Sequence, residues 1–181
     1  MAVVRPYRFA RAGAAPPAKR RAFALGLLAG VVYFAGALYW LVDVMALYGG
    51  LALPVALGVA ALLVAYLAMY PALFAVALAL LVRRFGTLAL LAAPAIWVTT
   101  ELGRAALMTG FPWALLGASQ ATWLPIAQLA SVTGIYGVST LVVLGNVALA
   151  MLIVGEGRRP SVVPAILIVY VLGVAAWGGG R

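Results

Sequence analysis

The feature that most constrains this chain is an apolar run at positions 51–82 that contains no charged side chain. An α-helix crosses a bilayer with roughly 20 apolar residues, so this run is too long for one upright crossing. It can form two crossings divided at Pro71, or one long, tilted helix kinked there. A division would leave a second piece too short to span. We therefore expect a single helix.

The composition extends this constraint to the whole chain. Hydrophobic residues make up 67% of the sequence and charged residues 8%, with a mean hydropathy of +1.19. A soluble domain is closer to half apolar and a quarter charged. The sequence therefore predicts an all-α, polytopic integral membrane helix bundle at residues 22–181, after a basic cytoplasmic tail at 1–21. About five transmembrane helices are expected, at 22–45, 51–82, 88–108, 125–154 and 162–177.

The positions of the basic residues predict the orientation of the bundle. The chain has 12 Lys and Arg against 3 Asp and Glu, concentrated in residues 1–21, 83–84 and 158–159. With five spans these segments fall on one side, and the loops at 48–50 and 110–123, which lack Lys and Arg, fall on the other. The positive-inside rule then places the N-terminus in the cytoplasm and the C-terminus outside. The net charge of +9 is thus an orientation signal, and no nucleic-acid partner is expected.

A secretory signal peptide is the competing interpretation of the N-terminal region. A basic stretch does precede an apolar run, as in signal peptides. The run at 22–45 is longer than a signal-peptide core and lacks a clear small-residue cleavage site, which favours an uncleaved span.

Two opposite charges interrupt the third apolar segment. Glu101 and Arg104 are three residues apart, so on a helix they share one face and can pair. Ionisable residues within a membrane segment are costly and usually functional. One interpretation is an ion pair that locks this helix to a neighbour. The other is a polar contact near a lipid head group or an external domain, for which arginine's planar fork suits phosphate or carboxylate.

An aromatic loop (residues 109–113) follows the charges, with the sequence Thr109, Gly110, Phe111, Pro112 and Trp113. Glycine and proline stop the preceding helix. The two aromatic side chains are then expected at the depth of the membrane interface. They can serve as interfacial anchors or form one wall of a cavity that admits acyl chains.

Other aromatic and small residues have more ordinary interpretations. Tyr39, Trp40, Trp97 and Trp123 are individually favoured as interfacial anchors. The amides of the apolar segments, and the glycines of the fourth, suit contacts between helices. We expect interhelical hydrogen bonds at Gln120, Gln128 and Asn146 and close helix packing at Gly134, Gly137 and Gly145.

The chain is poor in chemistry-bearing residues. It contains no cysteine and no histidine, three acidic residues, and a single lysine, Lys19, in the basic tail. Thiolate metal sites and cysteine- or histidine-based nucleophile pairs are therefore unavailable. We expect no catalytic residue, no metal site and no cofactor in this chain.

The motif W-x-x-x-E-x-x-R, from Trp97 to Arg104, continues into T-G-F-P-W at 109–113 and G-x-S-Q at 117–120. Together with YW at 39–40 and YGG at 48–50, these residues resemble the membrane domain of apolipoprotein N-acyltransferase. The stretches AYLAMYPALF and PIAQLASVTGIYGVSTLVVLGNVALA extend the resemblance over most of residues 23–178.

The resemblance implies a protein of the bacterial inner membrane. That family moves an acyl chain from a phospholipid to the α-amino group of a lipoprotein's diacylglyceryl-modified N-terminal cysteine. A nitrilase-like external domain, with a Glu-Lys-Cys triad, does the chemistry. This domain would follow residue 180 and is not in the sequence, so we expect the membrane half of such an enzyme.

The expected partners are membrane phospholipid, a diacylated lipoprotein and a nitrilase-like domain, which can be encoded separately. We expect the substrate-facing residues to be Glu101, Arg104, Thr109, Gly110, Phe111, Pro112, Trp113, Trp97, Tyr39, Trp40 and Gln120.

Two other functions fit the sequence less well. The bundle can be a non-catalytic lipid-binding module or the partner subunit of a separate nitrilase-like protein. It can also be part of a transporter, which predicts a broken helix near the bilayer midplane. The break at 110–112 lies at an outer boundary instead, which disfavours a transporter.

Overall fold

A computed structural model describes residues 18–108, 110–154 and 162–180 of the chain. The predictions for residues 1–17, Thr109 and the loop at 155–161 lie outside these residues. The described residues form helices joined by short connections, which confirms the all-α fold class. The α-helices are α1 (Lys19–Leu38), α2 (Trp40–Leu47), α3 (Leu53–Phe85), α4 (Ala93–Ala106), α5 (Leu124–Ala127), α6 (Ala130–Val154) and α7 (Val162–Gly179), with 3-10 helices at Thr87–Ala92 and Leu116–Gln120.

Among the described residues, four helices are long and apolar enough to cross a membrane: α1, α3, α6 and α7. The predicted span at 88–108 differs, because it is divided into the 3-10 helix Thr87–Ala92 and the 14-residue α4. Pro94 stands in the first turn of α4. A proline has no backbone N–H, so it starts an α-helix more readily than it continues one. Five apolar segments were expected, and four of them are, or contain, helices of spanning length.

The expectation of a single helix at 51–82 is confirmed. α3 runs for 33 residues with Pro71 inside it. α1 begins at Lys19, slightly before the predicted boundary at 22, and is followed at Trp40 by the short α2.

The packing of α1 against α3 depends on small residues. α1 buries one residue per turn on a single face, and a Cβ built on Gly26 would lie 2.6 Å from the Pro71 carbonyl oxygen. A Cβ on Gly30 would lie 2.8 Å from the Ala68 Cα. Small residues four apart let two helix backbones approach closely. We call these four residues, Gly26, Gly30, Ala68 and Pro71, the glycine seam.

The predicted close packing at the glycines of α6 is wrong. A Cβ on Gly134 or Gly145 would meet nothing within 4 Å, and one on Gly137 would meet the side chain of Thr133 in the same helix. Gly134 has a different role, because its φ of 68° interrupts the helical backbone of α6. Such a left-handed conformation favours glycine.

The second half of the bundle packs α4, α6 and α7 together. Ala93, Val143, Val147 and Met151 form a buried cluster between α4 and α6. At the C-terminal end of α7, a Cβ on Gly178 would lie 1.9 Å from the Pro125 carbonyl oxygen, so the end of α7 packs closely against α5.

The two ends of the bundle differ in composition. Because Gly26 meets Pro71 and Gly30 meets Ala68, α1 and α3 are antiparallel. The start of α1 and the end of α3 therefore lie at the same end, which we call the basic end. The connection from α4 to α5 lies at the other, the aromatic end. The described basic residues of the basic end are Lys19, Arg20, Arg21, Arg83 and Arg84.

Candidate functional site

α4 carries the motif side chains into the interior of the bundle. Trp97, Glu101 and Arg104 are spaced four and three residues apart, so they lie on one helix face. The shared face of the two charges was predicted, whereas that of Trp97 was not. Glu101 is 2% exposed and Arg104 3% exposed. The two charges therefore lie beneath the surface, away from both lipid and solvent.

The Glu101 carboxylate connects α4 to the chain that follows the aromatic loop. Its Oε1 accepts a hydrogen bond from Trp97 Nε1 at 3.1 Å and another from the Leu116 backbone N–H at 2.7 Å. Hydrogen bonds to an ionised acceptor are stronger than neutral ones. Glu101 thus fixes the start of the second 3-10 helix.

Arg104 holds the loop from the same helix face. Its Nη2 donates to the Ala114 carbonyl oxygen at 3.2 Å, and its own carbonyl oxygen accepts from Phe111 N at 2.8 Å. The guanidinium carbon lies 5.0 Å from the centre of the Phe34 ring in α1, a cation–π arrangement. Arg104 therefore links α1, α4 and the loop.

The predicted pairing of the two charges takes an indirect form. Glu101 Oε2 and Arg104 Nη1 are buried and have no hydrogen-bond partner among the described residues. The other oxygen and the other terminal nitrogen bond to the segment after the loop. An unsatisfied buried polar atom costs about 1–3 kcal/mol, and more when it belongs to a charged group. The pair therefore locks α4 to this segment, and two of its atoms still need partners.

Two side chains that the sequence did not single out complete this attachment. The Tyr33 hydroxyl in α1 donates to the Ala114 carbonyl oxygen at 3.1 Å, so that oxygen has two donors. Ser139 in α6 is fully buried, and its Oγ accepts from Gly117 N at 2.8 Å. We call Glu101, Arg104, Tyr33 and Ser139 the loop clamp.

The backbone within the clamp is strained. Met108 and Ala114 have φ angles of 48° and 52°, in the left-handed region that non-glycine residues seldom adopt. Gly110 has a φ of 83°, and a Cβ there would lie 2.3 Å from the Ala105 carbonyl oxygen, so the position requires glycine. Strained backbone persists where its surroundings hold it in place, and it is concentrated at functional sites.

The aromatic loop and Trp40 form a group of neighbouring rings at the aromatic end. The rings of Trp40 and Trp113 are stacked, with centroids 5.5 Å apart and planes 23° apart. Phe111 lies 5.9 Å from Trp113 and also packs against the cluster of Phe34, Leu38 and Leu67. Trp113 is 53% exposed. We call Trp40, Phe111 and Trp113 the aromatic plate.

The remaining expected site residues are distributed unevenly. Trp97 is half-buried, and its ring packs edge-on against Phe74 at 5.1 Å. Tyr39 is 72% exposed at the end of α1. Gln120 donates to Ser119 Oγ at 3.0 Å and lies outside the clamp.

The predicted interhelical hydrogen bonds of the amides are not found among the contacts of the described residues. Asn146 donates to the Val142 carbonyl oxygen of its own helix at 2.9 Å, and Gln120 bonds to its neighbour Ser119. Both amides line a cavity of about 340 Å³ between α6 and α7, together with Trp123. No group of three His, Cys, Asp or Glu able to hold a metal ion occurs within the described ranges.

Comparison with known proteins identifies the family. The family profile described as "Apolipoprotein N-acyltransferase N-terminal domain" matches residues 6–148. A protein of Geobacter metallireducens named apolipoprotein N-acyltransferase is 44% identical over 170 residues, which cover 90% of this chain and 32% of the relative. Proteins of the same name from Chromobacterium violaceum and Vibrio vulnificus are 40% and 34% identical, over 89% and 88% of this chain.

The chain spans about a third of the length of these relatives, for which the covered shares are 32%, 30% and 31%. The profile is that of the N-terminal domain, and it covers both the glycine seam and the clamp. The chain therefore belongs to the apolipoprotein N-acyltransferase family, and it corresponds to the N-terminal membrane part of that family.

Proposed function

We propose that this chain is a membrane domain that holds a phospholipid acyl donor and a diacylated lipoprotein acceptor. The reaction that it serves is acylation of the amino group of the lipoprotein's N-terminal cysteine. The name of the relatives supports the reaction class. The observation that carries the proposal is the aromatic plate, a partly exposed ring surface fixed at one end of the bundle by buried charges.

The proposed site residues have different roles, depending on whether they are exposed or buried. Trp113 and Tyr39 are exposed and can contact acyl chains or the lipid interface directly. Aromatic rings suit this position because they combine an apolar body with a polar edge. Glu101 and Arg104 are buried, so in this proposal they support the wall of the substrate site from beneath. Gly110 and Pro112 shape the loop that carries the rings.

The distribution of charge supports a placement in the inner membrane. The basic end carries five described Lys and Arg residues, which the positive-inside rule assigns to the cytoplasm. The aromatic end then faces the periplasm. The aromatic plate would lie at the outer leaflet, on the side where a lipoprotein acceptor is presented.

The acyl-transfer chemistry is assigned to a nitrilase-like domain outside this sequence. Glu101, the buried carboxylate of the site, uses one oxygen for two structural hydrogen bonds. A nucleophile needs an adjacent base and a third group that orients it. We therefore propose that such a domain, from a longer polypeptide or from a separate one, docks at the aromatic end and completes the enzyme.

A complementation experiment tests this proposal. Cells depleted of their own N-acyltransferase would express the chain with and without a separately supplied nitrilase-like domain, and mass spectrometry would measure lipoprotein N-acylation. We expect acylation only when both parts are present. Acylation by the 181 residues alone would contradict the assignment of the chemistry to another domain.

A tryptophan pair provides a matched control for the aromatic plate. Trp113 and Trp123 are 53% and 54% exposed, but only Trp113 belongs to the plate. In the two-part assay we expect Trp113→Ala to lose acylation and Trp123→Ala to retain it, with both variants inserted in the membrane. Equal activity of the two variants would show that the aromatic plate is not part of the substrate site.

A lipid-binding bundle without catalysis is the second candidate. The cavity between α6 and α7 supports it, because a space of about 340 Å³ lined by Leu141, Leu149 and Ile168 suits an acyl chain. Stoichiometric lipid retained through purification, together with failure of the complementation experiment, would favour this candidate.

A further inference from the structure

The atoms of the loop clamp that lack partners point to a ligand. Glu101 Oε2 and Arg104 Nη1 are buried without a hydrogen-bond partner, in side chains that are 2% and 3% exposed. Because both groups are removed from bulk water, a hydrogen bond to any polar group within reach would be favourable. Their partners cannot be bulk lipid tails, which offer neither donors nor acceptors.

The two atoms have complementary requirements. Arg104 Nη1 can only donate, whereas an ionised Glu101 Oε2 can only accept. A ligand atom that serves both must accept one hydrogen bond and donate another, as a hydroxyl oxygen does. The burial of both side chains restricts such a ligand to a small one. A buried water typically makes about three hydrogen bonds to polar groups that would otherwise be unsatisfied.

We propose that a bound water links Glu101 Oε2 to Arg104 Nη1 and forms a hydration site inside the bundle. Each charge then contacts the segment after the loop through one atom and the water through another. The water supplies solvation that the surrounding hydrocarbon cannot. This site is independent of the proposed acyl transfer, because it concerns the fold of the clamp itself.

Further hydroxyl groups lie near this position. Tyr70 is adjacent to α4, since a Cβ on Gly103 would lie 3.8 Å from its Cε1. Its hydroxyl pairs with that of Tyr66 at 2.6 Å. Either oxygen of this pair can be the donor, which leaves the pair able to accept or donate one more hydrogen bond. α3 thus provides polar groups beside α4.

Radiolytic hydroxyl-radical labelling of the whole chain in phosphatidylcholine nanodiscs tests the site. Radicals formed from bound water modify the side chains beside it even when bulk solvent is excluded. Phe34 and Leu38 are 3% and 4% exposed in the same cluster, but only Phe34 lies against the Arg104 guanidinium, at 5.0 Å. With rates normalised to the unfolded chain, we expect Phe34 to be labelled several-fold faster than Leu38. Equal normalised rates would overturn the proposal.

Two further arms distinguish the source of the hydroxyl group. Water predicts the same Phe34 labelling in phosphatidylglycerol nanodiscs, whereas labelling that depends on this hydroxyl-bearing lipid would overturn the proposal in favour of a lipid head group. Glu101→Met removes the acceptor, and we expect it to abolish the excess labelling of Phe34. If this variant fails to fold, the wild-type comparison of Phe34 with Leu38 still decides. No arm measures acyl transfer, so failure here is separate from failure of the proposed function.

Discussion

The glycine seam and the loop clamp join segments of the same bundle by opposite means. At the seam, Gly26 and Gly30 bring two helix backbones into direct contact without using a polar side chain. At the clamp, Glu101 and Arg104 reach from α4 to a non-helical segment and hold its backbone N–H and C=O groups. Helix backbones already satisfy their own hydrogen bonds, so they can associate by packing alone. A loop within a membrane protein must have its backbone groups satisfied by other parts of the protein.

This difference explains where the costly residues are placed. A charged side chain is expensive in hydrocarbon. In the clamp the two charged side chains supply hydrogen bonds to backbone groups that, in a helix, would bond to one another. The seam needs only the absence of side-chain atoms. We therefore expect the clamp to be sensitive to the loss of a polar group and the seam to be sensitive to the addition of carbon.

The largest effect is expected for Arg104→Leu. The substitution leaves the Glu101 carboxylate buried beside an apolar side chain and removes a donor to Ala114, and breaking a buried charge pair costs about 3–5 kcal/mol. Denaturant unfolding in a bilayer-mimetic detergent measures the loss. Arg84→Leu is the control, because Arg84 is an exposed arginine at the basic end. A similar loss for both variants would show that the clamp does not depend on the buried charge.

The seam should respond to Gly26→Leu. The new side chain would have to displace the α3 backbone, because the Cβ alone would lie 2.6 Å from Pro71 O and 2.8 Å from Ala72 Cα. Overpacking of this kind costs about 1–3 kcal/mol, and sometimes more. Gly36→Leu, in the same helix, is the matched control because a Cβ there meets nothing within 4 Å. Thermal unfolding followed by size-exclusion chromatography should separate the two variants, and equal stability would contradict the seam.

The sequence predicted the parts of this comparison that depend on local spacing. The shared helix face of Glu101 and Arg104 follows from their separation of three residues, and the single α3 follows from the length of its apolar run. The close contacts of Gly26 and Gly30 were not predicted. Glycines also recur in α6, and only the opposing helix decides which glycines make close contacts.

The sequence could not predict contacts between distant segments. Tyr33 and Ala114 are 81 residues apart, and Ser139 and Gly117 are 22 apart. Each of these bonds requires the fold to be in place first, and tyrosine and serine are common in membrane helices for other reasons. The left-handed Ala114 is also unpredictable, because its conformation is stabilised by donors from α1 and α4.

Ser139→Ala tests the clamp from the side of α6. It removes the acceptor of Gly117 N, and a buried N–H left without a partner costs about 1–3 kcal/mol. The expected result is faster hydrogen exchange at residues 116–120, with a moderate loss of stability. Ser131→Ala is the control, since Ser131 is exposed and donates to Gln128 O in the adjacent turn. Unchanged exchange in Ser139→Ala would mean that Ser139 does not hold this segment.

The smallest effect is expected for Tyr33→Phe, which deletes a single hydroxyl group. Ala114 O would keep its bond to Arg104 Nη2, so the loss should be about 0.5–1.5 kcal/mol, the net value of one hydrogen bond. Hydrogen exchange of residues 110–117 measures it, with the exposed Tyr48→Phe as the control.

The informative measurement adds Arg104→Leu to Tyr33→Phe in a double-mutant cycle. Both donors bond to the same carbonyl oxygen of Ala114. Removing the second donor should therefore lower the free energy of unfolding more than removing the first, because the strained Ala114 would lose its remaining hydrogen bond from these donors. Strictly additive losses would instead mean that the two donors act independently. The clamp would then be a set of separate contacts whose contributions to the free energy of unfolding simply add. In that respect it would resemble the packing contacts of the seam.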